Sequence, residues 1–219
     1  MRREVSLEEI SDGRLYNDND MVRADCHGCV GCSDCCRGMG DTVILDPYDA
    51  FRLTNGLQRP FADFIGQEIA LSVVDGCVLP HLCMTGEGGA CAFLDQAGRC
   101  SIHPFRPGIC RLFPLGRYYD KGEYRYFLQT KECKAVRSKI KVSRWIDAPE
   151  EKWYREFVTD WHYLLNELEQ LMIHRRDDAF ATSLNTELLK RFYFTPYETT
   201  SDFYHQFEMR KEQINAFTS

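Results

Sequence analysis

Long apolar runs are missing from this chain. No window reaches the roughly 18 apolar residues that a membrane helix needs. The opening Met1-Arg2-Arg3-Glu4-Val5 leads into Ser6-Leu7-Glu8-Glu9 without the apolar stretch of a secretory signal. A block of one charge is missing too: 27 basic residues stand against 33 acidic ones, for a net charge of -6, with neither sign gathered into a stripe. That excludes the electrostatic footprint of nucleic-acid binding. No glycine-rich strand-to-helix turn is present to cradle a nucleotide, because Gly38-Met39-Gly40-Asp41 is too short and lies among cysteines. The three-then-two cysteine spacing of radical S-adenosylmethionine enzymes is also absent. The expectation is a soluble, cytoplasmic protein that meets neither nucleic acid nor membrane.

Cysteine, by contrast, is plentiful. The chain has 11, all between Cys26 and Cys133, and five fall between Asp25 and Arg37: Cys26, Cys29, Cys32, Cys35 and Cys36. Thiolates three residues apart can converge on one metal centre from a loop or a single turn. Two adjacent thiols with no partner would be an oxidation hazard. In a reducing cytosol, clustered cysteines point to metal or redox chemistry rather than to a disulfide framework, and the odd count weighs the same way. With 219 residues the chain can build a core without stapling, so a metal would serve function or local fold.

The organisation changes near residue 140. Residues 25–140 hold every cysteine and every glycine but Gly13, with short apolar runs and several prolines, and read as an irregular cysteine module after an N-terminal segment, 1–24. Asp46-Pro47-Tyr48-Asp49 predicts a short helix with an acceptor at its cap and proline at its first position. Phe61 to Leu71 predicts a second. Arg117-Tyr118-Tyr119, Asp120-Lys121-Gly122 and Tyr124 to Leu128 read as a hairpin about a glycine-containing turn. Residues 141–219 read as helical. Asp147-Ala148-Pro149-Glu150 has the capping-box pattern, and Tyr154, Phe157, Val158, Trp161, Leu164, Leu165, Leu168, Leu171 and Met172 recur at helical spacing toward Arg175. Further helices are expected from Asp178 to Phe194, stopped by Thr195-Pro196, and from Ser201 to Phe217. The aromatic stripe on the long helix reads as core packing rather than a cofactor site. The fold class expected is mainly α with a small β-hairpin, one compact α+β unit in which the C-terminal helices cover the cysteine module and can dock a protein partner.

A second dense motif runs from Gly89 to Pro114. Its cysteines, Cys91, Cys100 and Cys110, sit nine and ten residues apart, separated by a turn at Gln96-Ala97-Gly98 and by Pro104 and Pro107. Such spacing suits groups brought together by chain reversal. Phe93, Phe105 and Phe113 would give the sulfurs an apolar shell, and Arg106 and Arg111 would place positive charge behind anionic ligands.

Cys29-x-x-Cys32-x-x-Cys35-Cys36, followed by Cys91-x-Phe93-Leu94, Cys100-x-Ile102 and Arg106-Pro107-x-x-Cys110-Arg111-x-Phe113-Pro114, resembles the YkgJ-type cysteine-cluster family, a zinc- or iron-chelating domain. The resemblance covers about residues 25–135. It implies Cys29, Cys32, Cys35, Cys36, Cys91, Cys100 and Cys110 as metal ligands, with Cys133 as the eighth. Cys26 continues the spacing outside the motif, as an alternative ligand or a thiol without metal. His103 stands where the family often has tyrosine, so no histidine ligand is inherited. Cys77 and Cys83 match no motif and read as buried packing. A related cluster occurs in flagellin lysine N-methylases, which implies methylation with S-adenosylmethionine as one reading.

Zinc sites usually show two widely separated cysteine pairs, whereas successive three-residue steps followed by distant cysteines look like iron-sulfur ligation. The expected cofactor is therefore an iron-sulfur cluster of the 4Fe-4S type, in one or two sites, with zinc as the alternative. The corresponding roles are electron transfer, sensing or cluster handling in the first case, and a structural scaffold or interaction protein in the second.

Overall fold

A computed structural model describes residues 6–26, 32–86, 88–133, 137–146 and 151–218. Helix α1 (Leu7–Ile10) and strand β1 (Met21–Asp25) come first. They are followed by helix α2 (Pro47–Leu57), strands β2 (Ile69–Val74), β3 (Cys77–Leu82), β4 (Met84–Thr85) and β5 (Ala90–Cys91), and helix α3 (Gly108–Leu112). Strands β6 (Leu115–Asp120), β7 (Glu123–Leu128) and β8 (Ser138–Lys141) follow. Helices α4 (Val142–Ile146), α5 (Glu151–Arg175), α6 (Asp178–Leu189) and α7 (Phe203–Thr218) close the chain.

The fold mixes helix and strand, and the expectation of a mainly helical chain with one hairpin needs correcting. Among the described residues the strands form four separate two-stranded antiparallel sheets: β1 with β8, β2 with β3, β4 with β5, and β6 with β7. The hairpin at β6–β7 is the expected one. Lys121 and Gly122 both take positive φ, 49° and 82°, and Asp120 pairs with Glu123, the geometry that matches strand twist. The same turn recurs just after the stretch expected to be a second helix. Asp75 and Gly76, at φ 47° and 79°, reverse the chain so that Val74 pairs with Cys77. Phe61–Phe64 is therefore only a 3-10 turn, Gly66 breaks the run at φ 79°, and Ile69 already belongs to β2.

The helices follow their local signals. The Asp46 carboxylate accepts the Asp49 amide at 2.8 Å and the Asp49 carboxylate accepts the Asp46 amide at 3.1 Å, a reciprocal capping box with Pro47 in the first turn. The cap motif expected for α5, Asp147 to Glu150, lies outside the described residues. The α5 stripe is core: Tyr154, Phe157, Val158, Trp161, Leu164 and Leu168 are all buried. Trp161 meets Phe192 at 5.0 Å and Phe207 of α7 at 6.3 Å between ring centroids. After α6, residues Lys190–Phe194 form a wider π turn before Thr195-Pro196. The buried side chains form one cluster that draws on β1, the cysteine-rich stretch and the C-terminal helices alike.

Candidate functional site

Three chain reversals gather the cysteines. The first motif ends in a 3-10 turn, Asp34–Cys36, where the Cys36 amide donates to the Ser33 carbonyl at 2.9 Å. Arg37 then bridges to Ala90 and the Gly38 amide donates to Gly89 at 2.9 Å, which lays this turn beside β5 and Cys91. At the second reversal the Asp95 carboxylate accepts the amides of Ala97 at 2.9 Å and Arg99 at 2.8 Å, and Leu94 bridges to Cys100. The third depends on α3, whose Gly108 amide donates to Asp49 at 2.7 Å and so sets Cys110. Together these place Cys32, Cys35, Cys36, Cys91, Cys100 and Cys110 around one cavity of about 230 Å³, with Leu82, Ile102, Phe113, His103 and Arg106 in the same wall.

Burial governs the chemistry of three of these sulfurs. It pushes the Cys91 and Cys100 thiols up, and it pushes Cys110 up further with help from the Asp49 charge. Cys35 is raised mainly by its hydrogen bond with Cys36, then by burial. Arg106 pulls Cys35 and Cys100 the other way without reversing the direction. These thiols are protonated at neutral pH, where a thiolate is the nucleophile and the metal ligand. Arg106 Nη1 lies 3.0 Å from His103 Nε2. Burial lowers the His103 pKa, so a neutral ring accepts that hydrogen bond.

The gathering of two distant motifs was expected; its use as a metal centre is corrected. Among the described residues no group of three or more His, Cys, Asp or Glu side chains is placed to hold a metal ion. That overturns the iron-sulfur cofactor and the zinc alternative, together with the electron-transfer, sensing, cluster-handling and zinc-scaffold roles built on them. The spacing of the cysteines brings sulfurs to a common wall, but not to a common point. Cys29 lies outside the described residues. Cys26 and Cys133 are half-buried, and neither lines the cavity. Arg111, expected behind the ligands, does not line the cavity: it is buried, and its Nη2 lies 3.3 Å from the Tyr154 hydroxyl. Cys77 is a core residue, as packing predicted, and Cys83 is half-buried. No disulfide joins the described cysteines.

Sequence reasoning missed the part played by Asp49. Its signal was present in Asp46-Pro47-Tyr48-Asp49, but a capping box announces a helix start and not the second contact that holds α3.

The family model named CxxCxxCC, described as "Putative zinc- or iron-chelating domain", matches residues 28–141, more than half of the chain and both cysteine motifs. The chain belongs to the CxxCxxCC family. No curated protein and no solved structure matches it. The CxxCxxCC span ends on the last residue of β8, while the partner strand β1 and the helices α5 to α7 lie outside it. Chelation, which the CxxCxxCC description names, does not fit the side chains described in this member.

Proposed function

We propose that this chain is a binding module, and that the thiol-lined cavity takes a compact molecule with an apolar, polarisable body and one anionic group held at Arg106. One observation carries the reading: six thiols share a cavity of about 230 Å³ with Leu82, Ile102 and Phe113, and a guanidinium stands in the same wall. Four of them, Cys35, Cys91, Cys100 and Cys110, are held neutral, and such a thiol behaves as a small, soft hydrophobe. It is a poor nucleophile, which favours reversible binding over covalent catalysis. Pairing of a buried anion with arginine supplies orientation. The same reading places the protein in the cytoplasm, supported by the absence of disulfides among the described cysteines. Among the described residues no helix is long and apolar enough to cross a membrane.

The test is titration calorimetry on the full chain, reduced, with thiophene-2-carboxylate and its neutral amide as probes. The carboxylate binds, and losing its charge or introducing Arg106→Gln weakens binding by about tenfold or more, the worth of one charged hydrogen bond. Equal binding of acid and amide would overturn the reading. So would a stoichiometric metal ion retained by the purified protein and displaced only with loss of the fold.

A further inference from the structure

A second cavity, of about 440 Å³, has no part in that reading. Ile109 of α3 belongs to the walls of both cavities, whereas Cys110 lines the thiol cavity and Leu112 the larger one. The volume falls in the ordinary range for small-molecule sites. Helix α5 lines one wall with the apolar Val158, Trp161 and Leu165, beside His162 and Asn166. The polar groups include Asp46 and Asp49 at the head of α2, and Arg117 on β6.

The capping box explains why two carboxylates start α2, but it explains neither the cavity nor Arg117. Arg117 donates through Nη2 to the Tyr154 hydroxyl at 3.1 Å, while its Nε is buried with no hydrogen-bond partner among the described residues. A buried guanidinium donor left unmet is costly, and an acceptor entering the cavity would meet it. The wall carries both signs, with the carboxylates of Asp46, Asp49 and Asp75 and the guanidinium of Arg117. A simple anion would meet Arg117 alone, and a simple cation the carboxylates alone. A molecule carrying both charges on neighbouring atoms would meet both.

We propose that this cavity binds a zwitterionic α-amino acid with an apolar side chain. The ammonium lies at Asp46 and Asp49, the carboxylate at Arg117, and the side chain along Val158, Trp161 and Leu165.

The experiment is calorimetry on the full chain with L-leucine and L-phenylalanine, set against L-leucinamide, which lacks the carboxylate, and 4-methylpentanoate, which lacks the amine. At least one amino acid binds, and each leucine analogue binds at least about tenfold more weakly than leucine, or not at all where phenylalanine is the ligand. Absence of binding by both amino acids at about 10 mM overturns the proposal. An analogue that binds as well as the better amino acid does the same. Arg117→Gln risks the fold through Tyr154, so the second variant is Leu165→Trp, which fills the apolar end. With a native circular dichroism spectrum it loses amino-acid binding and keeps that of thiophene-2-carboxylate; retained amino-acid binding overturns the proposal. Failure of the thiol-cavity reading is seen separately, in the thiophene probes alone.

Discussion

Asp49 is almost wholly buried, at 1% exposure, and its carboxylate holds two backbone amides, those of Asp46 and Gly108. Burial first, and the Asp46 charge next, raise its pKa from 3.8 to about 7, against the opposing pull of Arg111 and those two amides. The sign follows from proton binding: from about pH 4 to 7 the unfolded chain has lost the Asp49 proton that the folded chain still holds. Stability from this group is therefore present at low pH, falls as pH rises through that window, and levels off above it. Asp49→Asn cannot titrate. Its urea midpoint should fall less between pH 4 and 7 than the wild-type midpoint does. An unchanged slope would place the titration elsewhere. At this scale the sequence was legible only in part. The six cavity cysteines belong to the set that the family resemblance implied, whereas Asp46, Asp49, Arg111, Arg117 and Tyr154 are scattered over more than a hundred positions and carry no shared motif.

Helix α2 shows how an element can be constrained by one atom that is absent. Gly56 sits in its last turn, where a Cβ would come within 2.3 Å of the Phe105 ring. Phe105 ends the 3-10 turn His103–Phe105, which precedes α3 and carries His103 into the thiol cavity. Gly56→Ala gains helix propensity but must displace that ring. Overpacking of this kind costs about 1–3 kcal/mol, against the roughly 1 kcal/mol that alanine offers in a helix. The expected outcome is a net loss of stability in chemical denaturation, with a larger loss of thiophene-2-carboxylate binding than a remote variant of equal stability shows. Elements with a strong period or a complete cap, α2, α5 and β6–β7, are legible in the amino-acid sequence by itself. The β2–β3 hairpin is not, although Asp75-Gly76 between apolar runs is a strong turn signal, because the preceding Phe61 to Leu71 also fits a helical period.

At the scale of the whole molecule, the C-terminal helices and the cysteine-rich stretch share one core. Tyr193 donates to the Leu45 carbonyl at 2.8 Å, and Phe203 of α7 meets Tyr48 of α2 at 4.9 Å between centroids. Trp161 is the hub on the α5 side, 7% exposed and ringed by Phe192, Tyr193 and Phe207. Trp161→Ser should lower stability by about 3–5 kcal/mol in equilibrium denaturation, as truncating a large core aromatic does. A neutral result would mean that the α5 face is not core. Where the helices touch the cysteine-rich stretch was not legible in the sequence, because contacts at such sequence separation leave no periodic trace.

The pairing of β1 with β8 sets Met21 opposite Lys141. In a cell that distance is also a waiting time. At ~5–20 residues per second, a ribosome needs on the order of ten seconds to make the partner of a strand it has already released. Throughout that interval the β1 edge is unsatisfied, and the cysteines appear one after another beside it, unburied and at their most reactive. The newborn chain is thus most exposed to oxidation and to mispairing before β8 leaves the ribosome.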